Sequence, residues 1–182
     1  YTKHVLNINI DRDVIIPKKF LSLISSNISQ AENINLYINE NQVMVEVGND
    51  VFYSCVIDER FPDFESVIPK DNNKELIVNR LDLLSTVKRV SVLSNKTTRQ
   101  IALNLTKDNI KITTEDNEKS SKGFENISGS FKGEDLTIGY NAAYLKDILS
   151  HLTTDEIMIK LNSPISAGLF FPKEQLKNSD LT

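Results

Sequence analysis

Two histidines, one cysteine and a tight group of acids are the side chains here whose chemistry reaches beyond packing. His4 and His151 are isolated, and no HxxxH, HxH or CxxC spacing offers a metal its ligands. Cys55 falls in an alternating apolar and polar run, where a thiol is expected as a small buried hydrophobe. Asp58, Glu59 and Asp63 cluster in a turn region, which reads as solvated charge rather than an acid/base pair. GxSxG, P-loop and GxGxxG patterns are absent and the six glycines are scattered. No catalytic residue, metal or cofactor is expected, and recognition is the chemistry left to the chain.

One stretch is built for recognition. In RFPDFESVIPK, residues 60–70, Pro62 and Pro69 each remove a backbone donor and fix φ, ending regular pairing on either side of a short extended connector. It reads either as a domain linker or as a rigid apolar lip, with Phe61, Pro62, Phe64, Val67 and Ile68 forming part of a groove.

The chain around it has 182 residues, 40% hydrophobic and 25% charged, which suits an ordinary globular protein with a substantial core. No apolar run is long enough to span a membrane as a helix. A single cysteine forbids an intrachain disulfide and argues for a reducing cytoplasm. The chain opens on Tyr1 without a basic and apolar leader, so a fragment or processed piece is expected. Glycosylation-like tripeptides at Asn27, Asn95, Asn104 and Asn126 are read as chance matches in an Asn-rich sequence.

Three segments repeat one pattern of short apolar strand, polar residues, amphipathic helix and alternating strand. They open at Val14-Ile15-Ile16, Leu76-Ile77-Val78 and Leu136-Thr137-Ile138, 62 and then 60 residues apart, which points to a modular α+β array. At about 100° per residue, Phe20, Leu21, Ile24 and Ile28 share a face of the first helix, with Pro17 in its first turn. Leu83, Leu84, Val87 and Val90 do so in the second. Tyr144, Leu145, Ile148 and Leu152 do so in the third, with Asn141 placed to cap. Ile34, Leu36 and Ile38 are expected to pair with Val43, Val45 and Val47, and Gly48-Asn49-Asp50 turns the chain into Val51–Ile57. Ile101, Leu103 and Leu105 likewise precede Ile110 and Ile112. The polar segment 115–125 reads as a mobile loop. The expected architecture is antiparallel sheet carrying helices on one face, repeated.

Charge is sorted between these layers. Segments 17–30, 80–96 and 141–152 carry Lys18, Lys19, Arg80, Lys88, Arg89, Lys96 and Lys146 against Asp82 and Asp147, a net of +5. The remainder must carry −9 for the total of −4. A basic helical layer over an acidic sheet layer suggests an anionic partner on the helix side. No aromatic residues interleave to stack bases, so contacts to a nucleic acid would be to phosphates and independent of sequence. Val92 and Leu93 project roughly 110–150° off the apolar face if the second helix continues, which suggests a subunit contact. A β-rich, non-catalytic binding module for another anionic partner is the competing reading.

Three motifs, RFPDFESVIPK (60–70), KRVSVLSNKTTRQIALNL (88–105) and LTIGYNAAYLKDIL (136–149), together resemble the bacterial sliding clamp, the beta subunit of DNA polymerase III. The second is similar to clamps of the Bacteroidetes type. The resemblance runs from about Val14 to Phe171 in family order and spacing. It implies the DNA-clamp fold: a ring of two head-to-tail protomers of three similar domains, helices lining the hole and sheets outside. Residues 1–58 would be the C-terminal half of the middle domain, and 59–182 the C-terminal domain without its Met-Pro-containing tail. The implied function is a cytoplasmic processivity factor that encircles duplex DNA and tethers the replicative polymerase, the clamp loader and other replication and repair proteins. By resemblance Pro62, Ser66 and Val67 line a groove taking a short Gln- and Leu/Phe-containing peptide, with Asn141, Tyr144, Ile165 and Ala167 opposite and Thr98 at the rim. Ser66 departs from the long basic residue many clamps carry there. Val92 and Leu93 match the subunit interface of the homodimer, where they would pack on a first domain this chain lacks. The piece is therefore expected not to close a ring and to bind DNA weakly.

Overall fold

The computed structural model describes residues 13–28 and 33–174. Its chain divides into two compact units, the first running to Phe64 and the second from Glu65 onward. This boundary lies six residues beyond the one expected from sequence, between 58 and 59.

In the first unit, helix α1 (Lys18–Asn27) follows Pro17, whose carbonyl accepts hydrogen bonds from the Phe20 and Leu21 amides. Proline suits this place because its fixed φ leads into the helix and its missing N–H has no helical partner to lose. Strands β1 (Ile34–Ile38), β2 (Gln42–Val47) and β3 (Asp50–Cys55) form an antiparallel sheet in that order. Ile34 faces Val47, Leu36 faces Val45 and Ile38 faces Val43, the register expected from the alternation. The first turn is held by Asn39 Oδ1, which accepts from the Asn41 and Gln42 amides at 2.9 and 2.7 Å. Gly48, at φ +61°, makes the second turn in the left-handed region that other residues avoid.

Phe20 and Ile24 of α1 cover Val43, Val45 and Val47, and these five form the core of this unit. Three expectations fail here. Leu21 is exposed, because a single helix on a three-stranded sheet buries only a narrow i, i+4 stripe. Val14–Ile16 form no strand; Ile15 makes one antiparallel bridge, to Ile57. Cys55 is exposed, because Phe52 and Val56 take the core-facing positions and alternation turns Cys55 to the other side with Val51 and Tyr53. His4 lies outside the described residues.

The second unit opens with a single 3-10 turn, Glu65–Val67, and continues through β4 (Lys74–Asn79), α2 (Arg80–Val90), β5 (Gln100–Thr106) and β6 (Asn109–Asp116). There follow β7 (Ser121–Ser128), β8 (Ser130–Lys132), β9 (Leu136–Asn141), α3 (Ala142–His151), β10 (Glu156–Leu161) and β11 (Leu169–Pro172). Two antiparallel four-stranded sheets result, ordered β11-β10-β4-β8 and β7-β6-β5-β9. The strand that leads into each helix pairs with the sheet of the other half: β4 with β10, and β9 with β5. The two repeats are thus interlocked, and a single core joins both sheets to both helices.

Leu83, Leu84, Val87 and Val90 of α2 are buried as expected. In α3 the buried residues are Ala142, Leu145 and Leu149, while Tyr144 is 73% and Ile148 38% exposed. The apolar stripe lies one position round from the expected one, because α3 meets α2 as well as the sheets and the contact selects the aliphatic side chains. Segment 115–125 is no loop. It is the β6–β7 hairpin, with Glu115 opposite Lys122 and Asp116 opposite Ser121. Exposed Phe124 apart, both faces of the segment are polar or small, since the inward Asp116, Ser121 and Glu125 find hydrogen-bond partners in Asn95, Leu93 and Arg89, and that polarity imitates a loop signal. The α-helical part of α2 ends at Val90, and Ser91–Leu93 tighten into a 3-10 turn.

Candidate functional site

Asn141 stands where β9 becomes α3, and both ends of its amide are engaged. Its Oδ1 accepts from the Ala143 amide at 2.9 Å, capping the helix, and its Nδ2 donates to the Thr98 carbonyl at 3.1 Å. The Thr98 loop is built by Asn95, whose Oδ1 accepts from the Thr97 and Thr98 amides and whose carbonyl accepts from the Arg99 amide at 2.8 Å. Arg99 takes φ +50°, uncommon for a residue with a side chain, and its carbonyl accepts from the Ala142 amide at 2.8 Å. These bonds fix Thr98 against the start of α3 and leave a recess of about 280 Å³ among Thr98, Gln100, Gly139, Tyr140 and Asn141.

Tyr144 lies one turn further along α3, exposed. Ile165 is 97% exposed in the turn between β10 and β11, which is shaped by hydrogen bonds between Ser163 and Ser166. Asn72 Nδ2 holds the same turn by donating to the carbonyls of Ala167 and Lys160 at 2.9 and 3.0 Å. Gly168 sits directly against the Tyr140 hydroxyl, so this turn rests on the residue that precedes Asn141. The structure thereby brings the Ala167 turn to the end of β9. Burial pushes the Tyr140 phenol up to about 12, and its hydroxyl has no hydrogen-bond partner among the described residues. Asn72 and Tyr140 position this turn; Asn72 lies outside any amphipathic stripe, and Tyr140 reads in sequence only as the last core-facing residue of the Leu136, Ile138, Tyr140 alternation.

Ser66 and Val67 lie in the 3-10 turn, with Val67 73% exposed. Pro62 is exposed and belongs to the first unit. Val67, Tyr144 and Ile165 thus share one property: each is a large apolar side chain left out of the core.

Two of the seven cations marked from sequence are committed inside the fold. Arg80 is half-buried, its guanidinium donating to the Thr154 carbonyl at 2.9 Å and the Leu149 carbonyl at 3.2 Å, near the C-terminus of α3. Arg89 forms a bidentate pair with Glu125 of β7, at 2.5 and 3.0 Å, and Thr86 Oγ1 donates to the same carboxylate. The hydrogen bond to Arg89 holds the Glu125 carboxyl below the usual carboxylate range and raises the arginine in turn. Lys18, Lys19, Lys88, Lys96 and Lys146 make no ion pair among the described residues. Val92 is 79% exposed, whereas Leu93 is 41% exposed and packs against Gly123 of β7. Beside them β7 is an edge strand. No group of acids, His and Cys fit to hold a metal occurs among the described residues.

The sequence matches two family profiles in succession: the central domain of the DNA polymerase III beta subunit over residues 3–63, and its C-terminal domain over residues 65–180. A beta sliding clamp of Proteus mirabilis is 32% identical over 156 residues, 85% of this chain and 42% of that protein. A Haemophilus influenzae sliding clamp is also 32% identical, over 87% of this chain and 43% of the relative. Among solved structures, a sliding clamp of Bartonella birtlesii bound to griselimycin superposes with TM-score 0.81 at 30% identity, covering 90% of this chain and 44% of that one. One from Pseudomonas aeruginosa, also bound to griselimycin, gives 0.82 at 28% identity over 93% and 47%. The chain spans less than half the length of these relatives.

Proposed function

Because this chain belongs to the DNA polymerase III beta subunit family, we propose that it supplies part of a sliding clamp, a ring that encircles duplex DNA and tethers the replicative polymerase. The observation that carries the reading is the succession of central and C-terminal family domains, in order and within one chain. The clamp itself performs no bond chemistry. Retention is topological, and sliding needs only phosphate contacts that carry no sequence information. Lys88, Lys96 and Lys146, with Lys18 and Lys19, are the free cations suited to that contact, while Arg80 and Arg89 serve the fold first. Val92 and Leu93, next to the β7 edge, are the surface for a second protomer.

Partner proteins dock through short peptides whose Leu and Phe anchors bury against Val67, Tyr144 and Ile165, with Ser66, Ala167 and Thr98 completing the site. Asn141 contributes by holding Thr98 in place and by its remaining amide hydrogen. Fluorescence anisotropy of a labelled Gln-, Leu- and Phe-containing peptide tests this. We expect saturable binding that griselimycin displaces, weakened about tenfold or more by Tyr144→Ala and by Ile165→Asp. Binding unchanged in both variants would remove these residues from the site.

A further inference from the structure

A second recess opens on the outward face of the β7-β6-β5-β9 sheet, with a volume of about 660 Å³. Cross-strand register explains it. Ala102 and Thr113 stand side by side across β5 and β6, so small side chains make a low floor, and Gly139, beside Ala102 on β9, borders the recess at Asn141. Phe124, opposite Thr113 on β7, rises from the end of that row and is 66% exposed. Lys111 Nζ lies 4.8 Å from the centre of the Phe124 ring. On the other side Glu115 and Lys122 pair at 2.5 Å.

Two features say what would occupy this trough. The acid in its wall is already neutralised by Lys122, which leaves Lys111 without an ion-pair partner among the described residues, beside an exposed aromatic ring. In a chain whose net charge is −4, this is a local reversal of sign. The trough is also continuous with the recess at Asn141, since Thr98 and Gln100 border both.

We infer that the trough receives an acidic, extended segment of a partner polypeptide, adjoining the anchor peptide seated beyond Thr98. The inference rests on the peptide-docking reading above. The acidic side chains of the segment would meet Lys111, and an apolar one would lie on Phe124 over the low floor. Partners carrying the same anchor would then be ranked by the residues beside it, because the anchor site and the trough act as two linked sites.

The test compares three fluorescein-labelled peptides on the intact chain: the anchor alone, the anchor extended at either end by eight residues of Asp, Glu and one Phe, and the acidic extension alone. One extended peptide should bind roughly tenfold tighter than the anchor, with the gain shrinking as salt rises. Lys111→Glu and Phe124→Ala should each remove most of that gain while leaving the anchor's own affinity unchanged, since neither residue touches the anchor site. Equal affinity of anchor and extended peptides overturns the inference, as does a gain that survives both variants. If the anchor fails to bind, the docking reading falls on its own account. Amide chemical shifts with the extension alone then decide: perturbation at Thr113 and Phe124 supports the trough, and none overturns it.

Discussion

Asn141 caps α3 with one end of its amide and holds the Thr98 loop with the other, so a residue marked as a peptide contact is also a structural one. Replacing it separates the roles. Asn141→Ala is expected to cost about 1 kcal/mol of stability from the lost cap, and Asn141→Asp to keep the cap while losing the donor to Thr98. If Thr98 placement matters for docking, both variants weaken peptide binding, and alanine, which loses the cap as well as the donor, lowers the denaturant midpoint further than aspartate does. Glu125 makes a second residue-scale case. Its carboxyl is held below its ordinary value by Arg89, so the stability it contributes is present above the unfolded glutamate range and is lost as pH falls through the lower folded value. Acid titration of stability should therefore be shallower in Glu125→Gln than in the parent below about pH 4.5.

At the scale of elements, the end of β9 supports the turn between β10 and β11 through Tyr140 and Gly168. A Cβ at position 168 would fall on the Tyr140 hydroxyl and 3.0 Å from Leu161 Cδ2, so Gly168→Ala should destabilise by about 1–3 kcal/mol. Tyr140→Phe removes a buried hydroxyl without a partner and should be close to neutral. In the double variant it should recover part of the alanine's cost, a coupling measurable in a thermal double-mutant cycle. The tyrosine also titrates abnormally. Its folded value of about 12 exceeds the ordinary 10, so the stability it contributes is full below pH 10 and is lost as pH rises towards 12. That alkaline decline should be absent in Tyr140→Phe.

At the scale of the whole molecule, the described strands of the two units differ in how well their apolar faces are covered. From Glu65 onward, each sheet has four strands and two helices share the core. In the first unit β1 is an edge strand among the described residues, and Ile34, Leu36 and Ile38 are 47%, 53% and 37% exposed although they share a face with buried Val47, Val45 and Val43. The strand carries no charge to discourage pairing. Sedimentation velocity should show self-association that grows with concentration and is reduced by Leu36→Lys. A parent chain that stays monomeric throughout would show that this edge is protected.

The strand registers and the α2 stripe were legible in the sequence because period-2 and period-3.6 patterns record which face meets water. The family motifs were legible for a different reason: they preserve order and spacing over most of the chain. The β6–β7 hairpin was not, since its inward positions also hold polar residues, Asp116, Ser121 and Glu125, whose partners lie far along the chain. Nor was the exposure of Cys55, Leu21 and Tyr144, because a residue's own period cannot say how wide a face its neighbours will cover. The pairing of Arg89 with Glu125, thirty-six residues on, and of Asn141 with Thr98, forty-three residues back, arises only when α2 meets β7 and β9 meets β5. By itself the sequence determined the family, the registers of the β1–β2 and β5–β6 hairpins and the buried face of α2. Tertiary structure decided which cations stay free and which apolar side chains remain uncovered, because both depend on contacts between segments distant in the chain.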